Sequence, residues 1–334
     1  MTTNVTSLKS SSNKLQQFLR NNTELVRIYG ILFLIIVVAA IASPDFRTAE
    51  NLFNVLRQSV ALGLVSVGQT LVILTGGIDL TVGSTISLVA VYTSGLMAGQ
   101  AGLGLMLGVI IAVLGGAMLV GMLNAAVITR LRVTPFIATL SVASIVQGIV
   151  LLYAKTPKGA ISPGFNYLAE GMVGPVPFPV IFLALLIIAT FVMLTRTVWG
   201  RYIYATGGSE IVARLSGIRT KLIILFTYMF CSLAAGLSGL FLASRMGIGD
   251  PQVGGLNFDR FDLDSIAAVL IGGTRLGGGK GSLIGTVAGV LIVSVLNNIF
   301  NLTGVSTFYQ WIVKGLIILV AVAAYTFIKS DDKG

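Results

Sequence analysis

Histidine is absent from the 334 residues, and that absence removes a large part of enzymology. Without imidazole there is no Ser-His-Asp or Cys-His relay and no His-ligated zinc or haem. The commonest general base is missing as well. Cysteine occurs once, as Cys231, so no intrachain disulfide forms. Set in an apolar stretch, Cys231 reads as a small core hydrophobe. Charge is scarce: 10% of residues are charged, against roughly 25% in a soluble domain. Hydrophobic residues make up 55% and mean hydropathy is +0.95. Such a chain belongs in a bilayer. Its 40 glycines fit that solvent, because small residues let membrane helices approach closely.

The densest glycine run lies in DSIAAVLIGGTRLGGGKGSLIGTVAGVLIVSVLNN, from Asp264 to Asn298. Gly272, Gly273, Gly277, Gly278, Gly279 and Gly281 sit between two apolar stretches and invite a nucleotide-binding reading. Spacing rejects it. A P-loop needs Gly, four residues, then Gly-Lys-Ser/Thr. Here Thr274 holds the first glycine position and Gly281 the hydroxyl position. The dinucleotide fingerprint fails at Ser282. These glycines therefore serve backbone geometry, as a turn between closely packed helices.

Ten apolar segments run roughly along 28–42, 58–75, 80–97, 102–128, 135–153, 178–194, 221–243, 264–273, 283–302 and 308–327. Several approach the ~20 residues that cross the hydrocarbon, whereas 264–273 falls far short and reads as a broken or extended helix. Eight crossings result if short pairs fold as re-entrant hairpins. Ala40-Ile41-Ala42 mimics a signal-peptidase site, but the long polar lead-in and Pro44 favour a retained first span. With ten crossings and the N-terminus inside, fifteen of the 22 Lys and Arg residues lie in inner segments and seven in outer ones. This is the positive-inside bias, with N- and C-termini cytoplasmic. Seven outer acidic residues cancel the outer cations, so the net charge of +10 lies inside. The basic balance is thus a topology signal and requires no nucleic acid. The implied organisation is a polar cytoplasmic tail over 1–24, a transmembrane domain over 25–328 and a short cytoplasmic tail over 329–334.

Polar residues within this apolar frame are the candidates for chemistry. Asp79, in GGIDLTVGS, is the only carboxylate between Glu50 and Glu170. Either it caps the next helix or it faces a solute path; a broken helix permits both. Asn124, Gln147, Asn297 and Asn298 lie inside spans, as does Gln69. Amides both donate to and accept from hydroxyls, which suits a neutral polyol, and they also tie helices together. No ladder of buried carboxylates marks a proton pump. Asp250, Asp259, Asp262 and Asp264 form an outer acidic loop without the glycine and glutamate of a calcium loop, so no metal site is expected.

The longest basic loop is Thr195 to Lys221, with five cations and one anion. Ser209 and Glu210 suit a helix N-terminus, Gly217 suits its C′ position, and Glu210 can pair with Arg214 at i, i+4. A short ordered helix here is either a docking element for a partner or a plain connector.

DLDSIAAVLIGGTRLGGGKGSLIGTVAGVLIVSVLNNIFNLTGVSTFYQWIVKGLIILVAV, together with GGIDLTVGS, PFIATL and GRYIYATGGSEIVARLSGI, closely resembles bacterial ABC-importer permeases for monosaccharides, the ribose, xylose, arabinose and galactose group. The resemblance spans about residues 48–325 in the expected order. It implies an all-α integral membrane protein of about ten helices with the cobalamin-importer-type fold, in the bacterial inner membrane. It also implies a transport subunit rather than an enzyme, with no cofactor on this chain and with ATP and Mg on a separate cytoplasmic ATPase. The other implied partners are a second permease copy or paralogue, a periplasmic sugar-binding protein and membrane lipid. Gly200, Arg201, Gly207, Ser209, Glu210, Arg214 and Gly217 then match the ATPase-coupling segment, while Asp79, Asn124, Gln147, Asn297 and Asn298 become translocation-path candidates. The chain departs from the family pattern at Arg275, where a small hydroxyl residue is usual, at Ser209, where Asn is common, and at Ile299, where glycine follows the two asparagines. The nearest competitors are permeases for branched-chain amino acids or nucleosides, and the different-class rival is a stand-alone secondary transporter.

Overall fold

The computed structural model describes residues 23–100, 102–255, 260–316 and 319. Most of the two expected tails, the end of the tenth segment and Asp259 lie outside the described residues. Each of the ten apolar segments coincides with a helix: α1 Thr23–Ala42, α2 Ala49–Leu74, α3 Val82–Met97, α4 Leu103–Arg130, α5 Pro135–Tyr153, α7 Phe178–Arg196, α10 Thr220–Met246, α11 Phe261–Ile271, α12 Leu283–Leu302, and a last helix over 307–316. Between them lie the short α6 Tyr167–Glu170, a two-stranded ribbon (β1 Met172–Val173, β2 Val176–Pro177), and the pair α8 Val198–Gly208 and α9 Glu210–Leu215.

Among the described residues, seven helices are long and apolar enough to cross a membrane. α3, with 16 residues, and α11, with 11, are not. At 1.5 Å per residue α11 covers about 16 Å of a hydrocarbon layer of about 30 Å. The chain before α11 explains its brevity. It runs along α3 as turns over 251–255: Gly249 lies against Ala90 and Ser94, and Gly254 N–H donates to Ser87 Oγ at 3.0 Å. A Cβ at Gly254 would overlap the Gly83 carbonyl, so this close approach demands glycine. Part of the depth expected of a helix is covered by this non-helical chain.

Loops gather at two ends. At one, Gly279 N–H donates to Leu74 O (2.9 Å), Tyr204 Oη to Gly281 O (3.0 Å) and Thr139 Oγ1 to Ile78 O (3.4 Å). At the other, Lys158 bridges to Gly249, Gly99 N–H donates to Ala160 O (2.9 Å) and Ser244 Oγ to Phe165 O (2.9 Å). Among the described residues, successive long helices run between these two ends.

α10 is the central helix. It packs against α2, α3 and α4 through small residues: a Cβ at Gly68 would stand 2.7 Å from Cys231 Cα, and one at Gly121 would overlap Tyr228 O. Cys231 is wholly buried in this crossing. α1 docks on α12 through Ile28, Leu32, Ala288 and Ile292. Ile299 packs beside Ala39, Phe46 and Val55, so its bulk fills the space between α1, α2 and α12.

At the same end, Asn51 of α2 and Asn298 of α12 exchange two amide bonds, 3.0 and 2.8 Å, in a buried contact. Asn298→Leu leaves Asn51 Oδ1 without its donor, while Asn51 Nδ2 keeps Phe46 O, and is expected to cost about 1–3 kcal/mol. Asn51→Leu/Asn298→Leu should lose less than the sum of the two single changes. Unfolding of the purified variants in detergent reads the coupling, and strict additivity would refute the pairing.

Candidate functional site

The break between α2 and α3 organises the interior. Helix α2 ends at Leu74, the chain turns through Gly76 at a φ of 83°, and residues 77–81 return alongside α2 without regular structure. Backbone polar groups in such a stretch need partners that no helix supplies. They find them in side chains. With its amide oriented to match, Gln69 accepts from Asp79 N–H at 3.2 Å and donates to Asp79 O at 3.3 Å. Tyr228 Oη donates to Ile78 O at 3.1 Å.

Asp79 and Asn124 meet here. The Asp79 Oδ1 accepts from Thr81 N–H (2.9 Å), from Thr81 Oγ1 (2.5 Å) and from Asn124 Nδ2 (3.3 Å). Asn124 Nδ2 also donates to Thr81 Oγ1 at 2.9 Å. Both residues are fully buried. The carboxylate thus closes a turn two residues long just ahead of α3, whose N-cap is Thr81 itself.

The remaining path candidates separate. Asn298 is buried in its pair with Asn51. Gln147 donates to Pro251 O at 3.0 Å and lines a groove of about 450 Å³ with Ser84, Ser144, Arg260 and Asp262. Asn297 lines a different cavity, of about 340 Å³, with Gln58, Arg245, Asp264, Trp311 and Lys314. The outer aspartates are engaged in ion pairs and turns: Lys314 Nζ lies 2.7 Å from Asp264 Oδ2, Arg260 lies 3.4 Å from Asp262, and Asp250 accepts from Gln252 N–H at 2.8 Å. Gln58, Lys314 and Trp311 were invisible as site residues in the sequence, because nothing local shows that α2 and the last helix share a cavity.

The basic loop holds two helices rather than one. VWGRYIYATGG buries Gly200, Ile203 and Thr206, which gives α8 an inward face that the glycines and aromatics hid in the sequence. Ser209 then adopts an extended backbone, and its Oγ accepts from Val212 N–H at 3.4 Å to start α9. Glu210 pairs with Arg214 (2.8 Å) and accepts from Thr220 Oγ1 (3.2 Å), tying α9 to the start of α10. Gly217 takes a φ of 84° after the helix. Arg201 and Arg214 are exposed, and so are the apolar Ile211, Val212 and Leu215, the last at 84%.

The glycine run forms a junction with this pair. Gly273, Gly278 and Gly279 have φ of 82°, 77° and 73°, and Gly281 of 157°. Gly277 lies over Gly76, Gly279 contacts Gly208, and Gly272 lies against the Gly285 backbone. Tyr204 clips the loop through Gly281 O; burial holds its phenol above the ordinary pKa, so it remains a neutral donor. Three chain segments thus meet backbone to backbone, with no side chain between them.

The sequence matches a family model described as branched-chain amino acid transport system / permease component over residues 51–322. The chain belongs to this permease family. The ribose import permease protein RbsC of Escherichia coli (strain K12) is 39% identical over 303 residues, covering 87% of this chain and 90% of that protein. The D-allose transport system permease protein AlsC of the same strain is 35% identical, with 88% and 90% covered. The galactose/methyl galactoside import permease protein MglC, also of that strain, is 32% identical, with 89% and 92% covered. No solved structure matches the chain. The permease is therefore a multi-pass membrane transport subunit.

A Cβ at Gly207 would overlap Leu74 O and stand 2.5 Å from Gly279 N, whereas one at Gly208 meets nothing within 4 Å. Gly207→Ala should destabilise the purified permease by about 1–3 kcal/mol through overpacking, and Gly208→Ala should be neutral or slightly stabilising. Unfolding midpoints of the two variants test this; equal effects would refute the junction.

Proposed function

We propose that the chain is the membrane-spanning subunit of an ATP-driven importer that moves a monosaccharide delivered by a periplasmic binding protein. The full-length similarity to ribose, allose and galactose permeases carries the reading. Those relatives favour a sugar over the amino acid in the family description. The fold is of the cobalamin-importer type with ten helices, α11 and the non-helical chain ahead of it together filling one crossing. Both termini and the α8–α9 pair face the cytoplasm, because fifteen cations belong to that end.

In this reading α9 is the contact for a separate ATPase, which binds ATP and Mg. A charged helix with exposed Ile211, Val212 and Leu215 fits a protein groove better than water or lipid. Gly200, Arg201, Gly207, Ser209, Glu210, Arg214 and Gly217 shape and hold it. Displacement of α9 pulls on α10 through Glu210 and Thr220, and on the glycine junction through α8. Asp79 and Asn124 act as the fixed centre about which helices move, while Gln147 and Asn297 border polar space open to solute. A second permease copy closes the groove at Gln147, and the sugar passes between the two copies.

Deletion of Glu210 to Ser216, or the milder Leu215→Asp, should reduce uptake of the labelled sugar to background while the protein still reaches the membrane. The comparison is made in cells carrying the neighbouring ATPase and binding protein. Normal uptake by either variant would refute the docking role. Sugar flux through liposomes holding this chain alone would instead favour a stand-alone transporter.

A further inference from the structure

The cavity at the end of the bundle opposite the glycine junction combines elements distant in the sequence. Gln58 comes from α2, Arg245 from the end of α10, Asp264 from the first turn of α11, Ser294 and Asn297 from α12, and Trp311 and Lys314 from the last helix. Its volume of about 340 Å³ lies at the lower end of the ~300–1,000 Å³ typical of small-molecule sites.

The lining chemistry is selective. Lys314 is held on Asp264 at 2.7 Å with both side chains largely buried, at 16% and 8% exposure. The pair fixes both groups at the cavity wall, each facing its counter-charge. Asn297 borders the cavity, and its Oδ1 is buried with no hydrogen-bond partner among the described residues. An orphaned acceptor is costly, and a small rotation of this amide toward the cavity would let a donating ligand meet it. A phosphodiester headgroup offers oxygens and no protons to it. A hydroxyl offers both, and neighbouring hydroxyls of one ring match the paired donor and acceptor of an amide. Trp311 adds a large, half-exposed flat surface on which the apolar C–H face of a sugar ring can lie.

We propose that this cavity is a polyol-binding site within the permease itself. It takes a monosaccharide by hydroxyl hydrogen bonds to Asn297, Asp264 and Gln58 and by contact with Trp311. The inference rests on the reading of the chain as a sugar permease, and it adds a stop on the route that lies inside one subunit. Affinity at such a stop is weak, since a solute must leave as readily as it enters. The site biases which solute proceeds after the binding protein has released it.

The chain has two tryptophans, Trp199 and Trp311. A Trp199→Phe version of the full chain, purified in nanodiscs without its ATPase or binding protein, leaves Trp311 as the only indole. Titration with D-ribose, D-allose and D-galactose should give a saturable change in its emission for at least one of them. Asn297→Ala should weaken that affinity about tenfold, the loss of one or two hydrogen bonds. Gln58→Ala provides the same comparison should Asn297→Ala fail to fold, and equilibrium dialysis of the labelled sugar confirms occupancy. Inorganic phosphate should give no response.

No saturable response to any of the three sugars overturns the proposal. So does an affinity unchanged in the variants, or a response to phosphate alone. If the assembled importer transports sugar in cells and the isolated permease binds none, this inference falls and the sugar-import reading stands. If the assembled importer carries a solute that is not a sugar, that reading falls.

Discussion

Backbone hydrogen bonding in a low-dielectric surround is the constraint on which this structure depends. A helix satisfies its own peptide groups, but the chain between α2 and α3 leaves the helix and returns into the protein interior. There its N–H and C=O groups must be met by side chains, or the segment could not be buried. Gln69, Tyr228, Thr139 and the Asp79–Thr81–Asn124 cluster supply those partners from α2, α10, α5 and α4. One irregular stretch therefore fixes the relative positions of four helices.

The same constraint recurs at the two other places where regular helix is given up. Ahead of α11, turns over 251–255 lie against α3 with glycine facing glycine and Ser87 accepting from Gly254. Between α11 and α12, the glycine loop gives its N–H to Leu74 O and receives the Tyr204 hydroxyl. The glycine approaches and the Gly279–Leu74 bond are backbone to backbone, and short side-chain bonds from Ser87 and Tyr204 add to them, so displacement is transmitted with little slack. The two short helices α8 and α9 attach at this junction and at the foot of α10. The most exposed apolar side chain of α9 and the most buried polar cluster of the bundle are thus joined through short, stiff connections.

Much of this was legible in the sequence. Every apolar segment became a helix because hydrophobic length is a local property that the bilayer reads directly. The start of α9 was legible because Ser209, Glu210 and Arg214 act within one turn. Other features were not. Helix α8 escaped notice because its burial comes from α2 and α7 rather than from its own pattern. Asp79 and Asn124 stood on the page as separate path candidates. They are partners, 3.3 Å apart across 45 residues, and no spacing rule connects them.

The sequence alone determined membrane residence, the number and order of apolar segments and the family, since all of these follow from composition, local length and motif. It also showed that the glycine run lacks the spacing of a P-loop and of the dinucleotide fingerprint. Tertiary structure decided the rest. It placed the glycine run against α2 and α8, sorted Asp79, Asn124 and Asn298 into supports and Gln147 and Asn297 into cavity walls, and joined Asp264 to Lys314 beside Asn297. Those outcomes depend on which helices pack together, and packing is decided by close contacts between residues far apart in the chain.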